Sequence, residues 1–241
     1  CGELLLMTDS FRSALQGFLS GVPVRVGHGT ELRSILLTKS VSPPPGRGRH
    51  HSLDYTRLAE EFGAAGRPYM PNPAVEASGP PHIAFFAGAR YGGAKRWSGF
   101  EELAIRLHDR TGLPSVFYGT PGEREMLGSL CGSVPRASVR TKLSLFELAS
   151  RLLTGKLAVG NDSGGIHLAS AVGVPAVTVF GSTSPLWTAP MGPDTINVTA
   201  TAECSPCFRR ECPRDNAVCL EEITVERVLE ETSRLLEKLE I

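Results

Sequence analysis

The sequence has no excess of charge of either sign. Its 241 residues carry 25 basic and 25 acidic side chains, so the formal net charge is zero at pH 7. A balanced chain has no global field that would attract a phosphate polymer, and any recognition of anions must therefore be local. Nucleic acid is accordingly not expected as a partner.

Long hydrophobic runs are also missing. The apolar stretches are short and interrupted by glycine, proline or charge, whereas a helix that crosses a bilayer needs about 20 apolar residues. We therefore expect no membrane span, although peripheral contact with a membrane stays open. The 6 cysteines are too few for a disulfide scaffold in a chain of this size, which favours a reducing, cytoplasmic location.

The start of the chain is unusual. It opens at Cys1 without a methionine, and residues 4–7 already have the apolar pattern of a buried strand. We therefore expect the chain to begin inside a domain. A segment rich in proline and glycine at residues 64–81 is the best candidate for a domain boundary.

From residue 82 onward, short apolar runs alternate with segments of helical periodicity. The runs are residues 82–87, 114–118, 157–159 and 176–180, and the helical segments are residues 100–110, 123–130, 145–153 and 165–172. Apolar strands that are each followed by an amphipathic helix predict a parallel sheet covered on both faces. Ligands bind such Rossmann-type sheets at the carboxyl ends of the strands.

Three parts of the chain follow from these patterns. Residues 1–75 form the remainder of an N-terminal domain, residues 76–222 form a C-terminal domain, and residues 223–241 form a closing helix. That helix is long enough to brace one domain against the other.

The strongest local pattern is GNDSGGIH at residues 160–167, which follows a strand and opens a helix. Gly164 and Gly165 let a ligand approach the backbone, and the amides at a helix start can donate to an anion. Asp162 and Ser163 supply an acidic and a hydroxyl group beside it, and His167 lies one turn further on the same side. The alternative is purely structural, with two capping residues and one packed histidine.

A second pattern, GARYGGAKRW, occupies residues 88–97 after the preceding strand. Small residues around three cations suit a diphosphate, with Lys95 as the principal contact and Arg96 beside it. A flexible basic surface loop is the alternative. The Gly-Lys-Ser/Thr ending of a P-loop is absent, which removes the main support for ATP-type phosphoryl transfer.

Glu123 follows the next strand along the chain. Its carboxylate could accept hydrogen bonds from a ribose diol, as acidic residues do in dinucleotide-binding folds. An ordinary acidic residue in the first turn of a helix is an equally good interpretation.

Four cysteines are concentrated near the C-terminus with the spacing C-x2-C-x4-C-x6-C: Cys204, Cys207, Cys212 and Cys219. This spacing suits a small tetrahedral thiolate metal site, although zinc sites usually pair two short knuckles and only one is present. Reduced packing cysteines or a disulfide are the alternatives. Three arginines in the same segment make contact with an anionic acceptor or a lipid headgroup a secondary possibility.

The order of these motifs resembles glycosyltransferase family 9, the ADP-heptose lipopolysaccharide heptosyltransferases. The resemblance is carried by residues 88–97, 161–175 and 180–185 and runs through essentially the whole chain; residues 8–14 and 204–219 are similar to the heptosyltransferase II branch. It implies a GT-B α/β architecture, with two Rossmann-like doubly wound domains facing across a cleft, the N-terminal one incomplete. It also implies inverting transfer of heptose from ADP-heptose to the inner core of lipopolysaccharide.

The resemblance further implies roles for individual residues. Lys95 would neutralise the donor diphosphate, Glu123 would hold the ribose and Asp162 would contact the heptose. Ser163 and Gly164 would offer a hydroxyl and backbone amides to the diphosphate. No catalytic metal ion is expected, because Lys95 and the helix N-terminus would stabilise the charge of the leaving ADP. No cofactor is required either, since the ADP-sugar is a substrate.

The partners implied are ADP-heptose, a lipid A-core acceptor and the inner face of the inner membrane. The catalytic base is expected before Cys1 and cannot be assigned, so we expect these 241 residues alone to bind donor weakly or not at all and to turn over poorly. A transferase for another ADP- or UDP-sugar, and a non-catalytic nucleotide-binding remnant, are the alternatives.

Overall fold

The computed structural model describes residues 2–43, 45–66, 74–90, 93–214 and 218–240. The chain divides into two compact units, one within residues 1–69 and one within residues 70–241. Both are α/β structures built on parallel sheets, as the alternation of the sequence predicts. Within the described residues, no helix is both long and apolar enough to cross a bilayer.

The first unit is a small parallel sheet with two helices. Its elements are β1 (Glu3–Leu6), α1 (Phe11–Leu19), β2 (Val24–His28), β3 (Lys39–Val41) and α2 (Ser52–Glu60). The strands lie in the order β1-β2-β3, and Val26, Val41 and Leu58 form its buried core. Helix α1 starts at residue 11 because the Ser10 side chain accepts a hydrogen bond from the backbone N–H of Ser13.

A buried arginine joins the strand ends of this unit. The Arg33 side chain is fully buried, and its Nε donates to the carbonyl of His28 at 2.6 Å. Its Nη1 donates to the carbonyl of Thr8 and, at 3.3 Å, to that of Ser10. The carboxyl end of β2 is thereby tied to the turn that follows β1.

The second unit contains a six-stranded parallel sheet in the order β6-β5-β4-β7-β8-β9. The strands are β4 (His82–Phe86), β5 (Ser115–Tyr118), β6 (Ser138–Arg140), β7 (Gly155–Asn161), β8 (Ala176–Phe180) and β9 (Thr195–Thr199). The helices are α3 (Phe100–Thr111), α4 (Arg124–Cys131), α5 (Leu145–Leu152), α6 (Gly164–Ala171), α7 (Pro185–Thr188), α8 (Val218–Glu221) and α9 (Val225–Lys238).

Both faces of this sheet are buried, which explains why its central strands are apolar throughout. Phe85 packs into a core cluster with Phe100 of α3 and Leu229 of α9. Its neighbour Phe86 points to the opposite face, where it packs into a second cluster that includes Ile166 of α6. Successive side chains of a strand point to opposite faces, so one strand supplies both cores.

The closing helix belongs to the core of the second unit. Its first residue follows Thr224, whose side chain accepts a hydrogen bond from the backbone N–H of Arg227. Its buried side chains Val228, Leu235 and Leu236 share the cluster of Phe85. Bracing between domains stays a prediction.

Three strands and two short helices were not predicted from the sequence. Strands β3 and β6 are only three residues long and lie at sheet edges, where a short run leaves little periodicity to detect. The edge strand β9 and the four-residue helices α7 and α8 were missed as well. Strand β7 extends over Gly155–Asn161, beyond the predicted residues 157–159 at both ends.

Candidate functional site

The candidate site lies at the point where the strand order of the second unit reverses. The chain runs outward from β4 through β5 to β6, and then returns to β7 on the other side of β4. The carboxyl ends of β4 and β7 therefore flank a crevice, which is where open α/β sheets bind ligands. The loop that follows β4 carries Lys95, and β7 leads directly into Asp162.

Asp162 is the centre of the site. Its Oδ2 lies 2.6 Å from Lys95 Nζ and accepts a hydrogen bond from Thr183 Oγ1 at 2.8 Å. Its Oδ1 lies 3.5 Å from His167 Nε2. The Asp162 side chain is 5% exposed and that of Lys95 13%, whereas that of His167 is 39% exposed. A buried anion is thus paired with a cation, and the histidine faces the open side of the site.

These contacts determine the charge of the carboxylate. Burial by itself would raise the pKa of Asp162, because desolvation disfavours the charged form. Hydrogen bonds from His167, Lys95 and Thr183, together with the charge of Lys95, outweigh burial and lower the pKa from 3.8 to about 2. Asp162 is therefore ionised at neutral pH, and it is better suited to hold cations and hydroxyl groups than to exchange protons.

Asn161 fixes the loop that carries Lys95. Its Oδ1 accepts a hydrogen bond from the backbone N–H of Trp97 at 3.1 Å, and its Nδ2 donates to the carbonyl of Ala87 at 2.9 Å. The indole N–H of Trp97 donates to the carbonyl of Ile223 at 2.7 Å. Both ends of the loop are thereby attached to the sheet, which places the lysine over Asp162.

The two glycines at the start of α6 have different surroundings. A side chain at Gly164 would meet nothing within 4 Å, so its backbone is open to a ligand. A Cβ at Gly165 would lie 2.1 Å from the Phe86 ring, so this glycine allows α6 to pack closely on β4. Ser163 occupies the N-cap position, but its side chain makes no capping hydrogen bond. Its hydroxyl is therefore not engaged in capping the helix.

Glu123 lies against the carboxyl end of β4. Its Oε2 accepts hydrogen bonds from the backbone N–H and the hydroxyl of Thr120, both at 2.8 Å, which completes a capping box. Its Oε1 would be 2.1 Å from a Cβ at Gly88. The Glu123 carboxylate therefore caps the short helical turn before α4 and also lies beside the end of β4. The ribose role stays a prediction, as does donor binding by the exposed Arg96.

The cysteines of the C-terminal segment converge on one cavity. Cys204, Cys207, Cys212 and Cys219 line a cavity of about 240 Å³ together with Ser182. Burial and the neighbouring cysteines raise the pKa of Cys219. Among the described residues, no group of three histidine, cysteine or acidic side chains is arranged to hold a metal ion. The thiolate metal site, the packing thiols and the disulfide all stay predictions for this segment.

Two residues of the site, Asn161 and Thr183, had no predicted role. Both stand at or just after the carboxyl end of a strand, so their position was the available signal. A lone asparagine or threonine carries no charge or metal-ligand pattern, and their partners lie 64 and 21 residues away in the chain.

Comparison with known proteins identifies the family. The model of glycosyltransferase family 9 (heptosyltransferase) matches residues 3–218. Lipopolysaccharide heptosyltransferase 1 of Pseudomonas aeruginosa is 32% identical over 136 residues, which cover 56% of this chain and 38% of that protein. Lipopolysaccharide heptosyltransferase 2 of Escherichia coli K12 is 27% identical over an alignment that covers 96% of this chain and 74% of that protein.

A solved structure shows the same fold. The structure of E. coli ADP-heptose lipopolysaccharide heptosyltransferase II superimposes with a TM-score of 0.79 at 24% identity, and the match covers 100% of this chain and 78% of that one. The GT-B fold class predicted from the motifs is confirmed. The chain spans little more than a third of the length of the Pseudomonas relative.

Proposed function

The chain belongs to glycosyltransferase family 9, and we propose that it is an inverting heptosyltransferase that moves heptose from ADP-heptose to the inner core of lipopolysaccharide. The observation that carries the proposal is the cluster of Lys95, Asp162 and His167 at the start of helix α6. The names of the E. coli and Pseudomonas relatives support the acceptor class.

In this proposal the donor diphosphate lies between Lys95 and the first turn of α6. Lys95 supplies a positive charge, and the open backbone at Gly164 supplies amide groups at the positive end of the helix dipole. These groups stabilise the negative charge that develops on ADP as it leaves. We propose on this ground that transfer requires no cofactor.

Asp162 has a different role from the groups that bind the diphosphate. Its carboxylate is ionised and held in one orientation, so it can accept hydrogen bonds from sugar hydroxyls. A carboxylate with a pKa of about 2 is a weak base, because a general base works best with a pKa near the working pH. We therefore propose that Asp162 orients the sugar and that another group deprotonates the acceptor hydroxyl.

The acceptor and the cellular site complete the proposal. A lipid A-core acceptor would place the enzyme in the cytoplasm, in peripheral contact with the inner face of the inner membrane. The exposed Arg209 and Arg214 belong to the cysteine segment, residues 204–219, and would meet anionic headgroups there.

The test compares sugar nucleotides by titration calorimetry of the purified chain. We expect ADP-heptose to bind more tightly than UDP-glucose. Lys95→Ala should weaken ADP-heptose binding by about 10- to 100-fold, since hydrogen bonds to charged groups contribute about 1.5–3 kcal/mol. Lys156→Ala is the matched control, because Lys156 is an exposed lysine near the amino end of the same strand β7.

The other outcomes separate the alternatives. Tighter binding of UDP-glucose would contradict the heptosyltransferase and favour a different sugar-nucleotide transferase. Binding of neither nucleotide by the folded chain would favour a non-catalytic remnant. Detectable heptose transfer to a lipid A-core acceptor by the same preparation would support the acceptor class.

A further inference from the structure

One oxygen of Asp162 receives two hydrogen bonds from different parts of the chain. Lys95 Nζ lies 2.6 Å from Oδ2, and Thr183 Oγ1 donates to the same oxygen at 2.8 Å. The other oxygen, Oδ1, faces His167 Nε2 at 3.5 Å. Thr183 follows β8 and Lys95 follows β4, so the two donors reach Asp162 from strands on either side of β7.

This arrangement creates a conflict for the donor site proposed above. The proposed function requires Lys95 to bind the diphosphate of the donor, but the Lys95 ammonium group is paired with Asp162 in this structure. If the lysine turns toward a bound diphosphate, the carboxylate loses its closest cation while remaining buried. A buried charge without its partner is strongly unfavourable, so Asp162 competes with the ligand for Lys95.

We propose that Thr183 is a positioning residue that keeps the Asp162 carboxylate held and oriented when Lys95 turns toward the diphosphate of the donor. Its hydroxyl bond to Oδ2 persists when the lysine moves, so the carboxylate remains partnered and Oδ1 stays directed toward the open side of the site. This inference rests on the proposed function, because it assumes that a diphosphate binds at Lys95.

The chain holds Thr183 in place through the two residues before it. The carbonyl of Gly181 accepts a hydrogen bond from Ser205 Oγ at 2.6 Å, and the carbonyl of Ser182 accepts one from the backbone N–H of Phe208 at 2.7 Å. The cysteine segment therefore packs behind the strand end and fixes the position from which the Thr183 hydroxyl reaches Asp162.

The test uses the purified chain with two substitutions at one position. Thr183→Val keeps the shape and removes the hydroxyl, whereas Thr183→Ser keeps the hydroxyl. Thr154→Val is the control, because the Thr154 hydroxyl donates to the carbonyl of Arg151 near the amino end of β7. ADP affinity is measured by calorimetry, and the titration of the Asp162 carboxyl is followed by carbon-13 NMR, which needs no ligand.

We expect Thr183→Val to bind ADP about tenfold more weakly, equivalent to about 1.4 kcal/mol, and to titrate Asp162 at higher pH than the unsubstituted chain. Thr183→Ser and Thr154→Val should behave like the unsubstituted chain in both measurements. Unchanged ADP affinity in Thr183→Val overturns the role of Thr183, whether or not the Asp162 titration moves. Failure of the unsubstituted chain to bind ADP overturns the proposed function instead, and the carboxyl titration then still shows whether Thr183 holds Asp162.

Discussion

Replacing Lys95 with methionine should destabilise the second unit, because it leaves the buried Asp162 carboxylate without its cation. Removing one partner of a buried ion pair costs roughly 3–5 kcal/mol. Thr183 and His167 still contact Asp162, so we expect the lower end, about 3 kcal/mol. For a unit of this size, 1 kcal/mol corresponds to about 2–4 °C in Tm, and the expected loss is therefore about 6–12 °C at pH 7.

The assay is thermal unfolding followed by tryptophan fluorescence. Both tryptophans, Trp97 and Trp187, lie in the second unit, so the signal reports the unit that contains the site. Lys156→Met is the control and should unfold within about 1 °C of the unsubstituted chain, as substitutions at exposed positions usually have small effects.

The pH dependence gives this prediction a second readout. Without Lys95, burial is offset less fully and we expect a higher pKa for Asp162. At pH 7 the carboxylate is then still ionised, and its buried charge destabilises the folded unit. The loss of stability should shrink as the pH falls and the carboxyl becomes protonated. In the unsubstituted chain the pKa is lowered to about 2, so its contribution is present above about pH 4 and is lost toward pH 2. A Lys95→Met chain with unchanged Tm at pH 7 would refute the reasoning.

Two further predictions concern packing within the second unit. Gly165→Ala should lower the free energy of unfolding, measured in urea, by about 1–3 kcal/mol, because its Cβ would overlap the Phe86 ring. Gly164→Ala places its Cβ in open space and should lower it by less than about 1 kcal/mol. Equal effects of the two substitutions would contradict this distinction. Tyr118→Phe should lower the free energy of unfolding by about 1–3 kcal/mol, because the Tyr118 hydroxyl lies 2.9 Å from His82 Nε2 in a buried pair. Unchanged stability would show that this pair does not stabilise the unit.

The alternation of strands and helices was predictable because it depends on local pattern. Apolar runs such as residues 82–87 and 176–180 became β4 and β8 at nearly the predicted bounds. Helix capping is local too, since it joins residues a few positions apart. At the start of α5, for example, the Ser144 side chain accepts a hydrogen bond from the backbone N–H of Glu147. The short edge strands β3 and β6 depend on pairing with a neighbour, which a three-residue sequence does not reveal.

The sequence indicated which residues lie at the candidate site, but it did not indicate which of them contact one another. Lys95 and Asp162 were both expected at strand ends, but their ion pair joins positions 67 residues apart and depends on β4 pairing with β7. Gly165 was expected to admit a ligand, whereas the structure shows the Phe86 ring in the space a side chain would fill. That ring comes from a neighbouring strand, so no local pattern could indicate it.

The central claim is that the crevice between β4 and β7 binds the diphosphate of an ADP-sugar, and a crystal structure of the chain with ADP tests it most directly. The account predicts the diphosphate within hydrogen-bond distance of Lys95 Nζ and of the backbone amide of Gly164. It also predicts that Thr183 Oγ1 still donates to Asp162 Oδ2 in that complex. ADP bound elsewhere on the second unit, with the Lys95–Asp162 pair unchanged, would contradict the account.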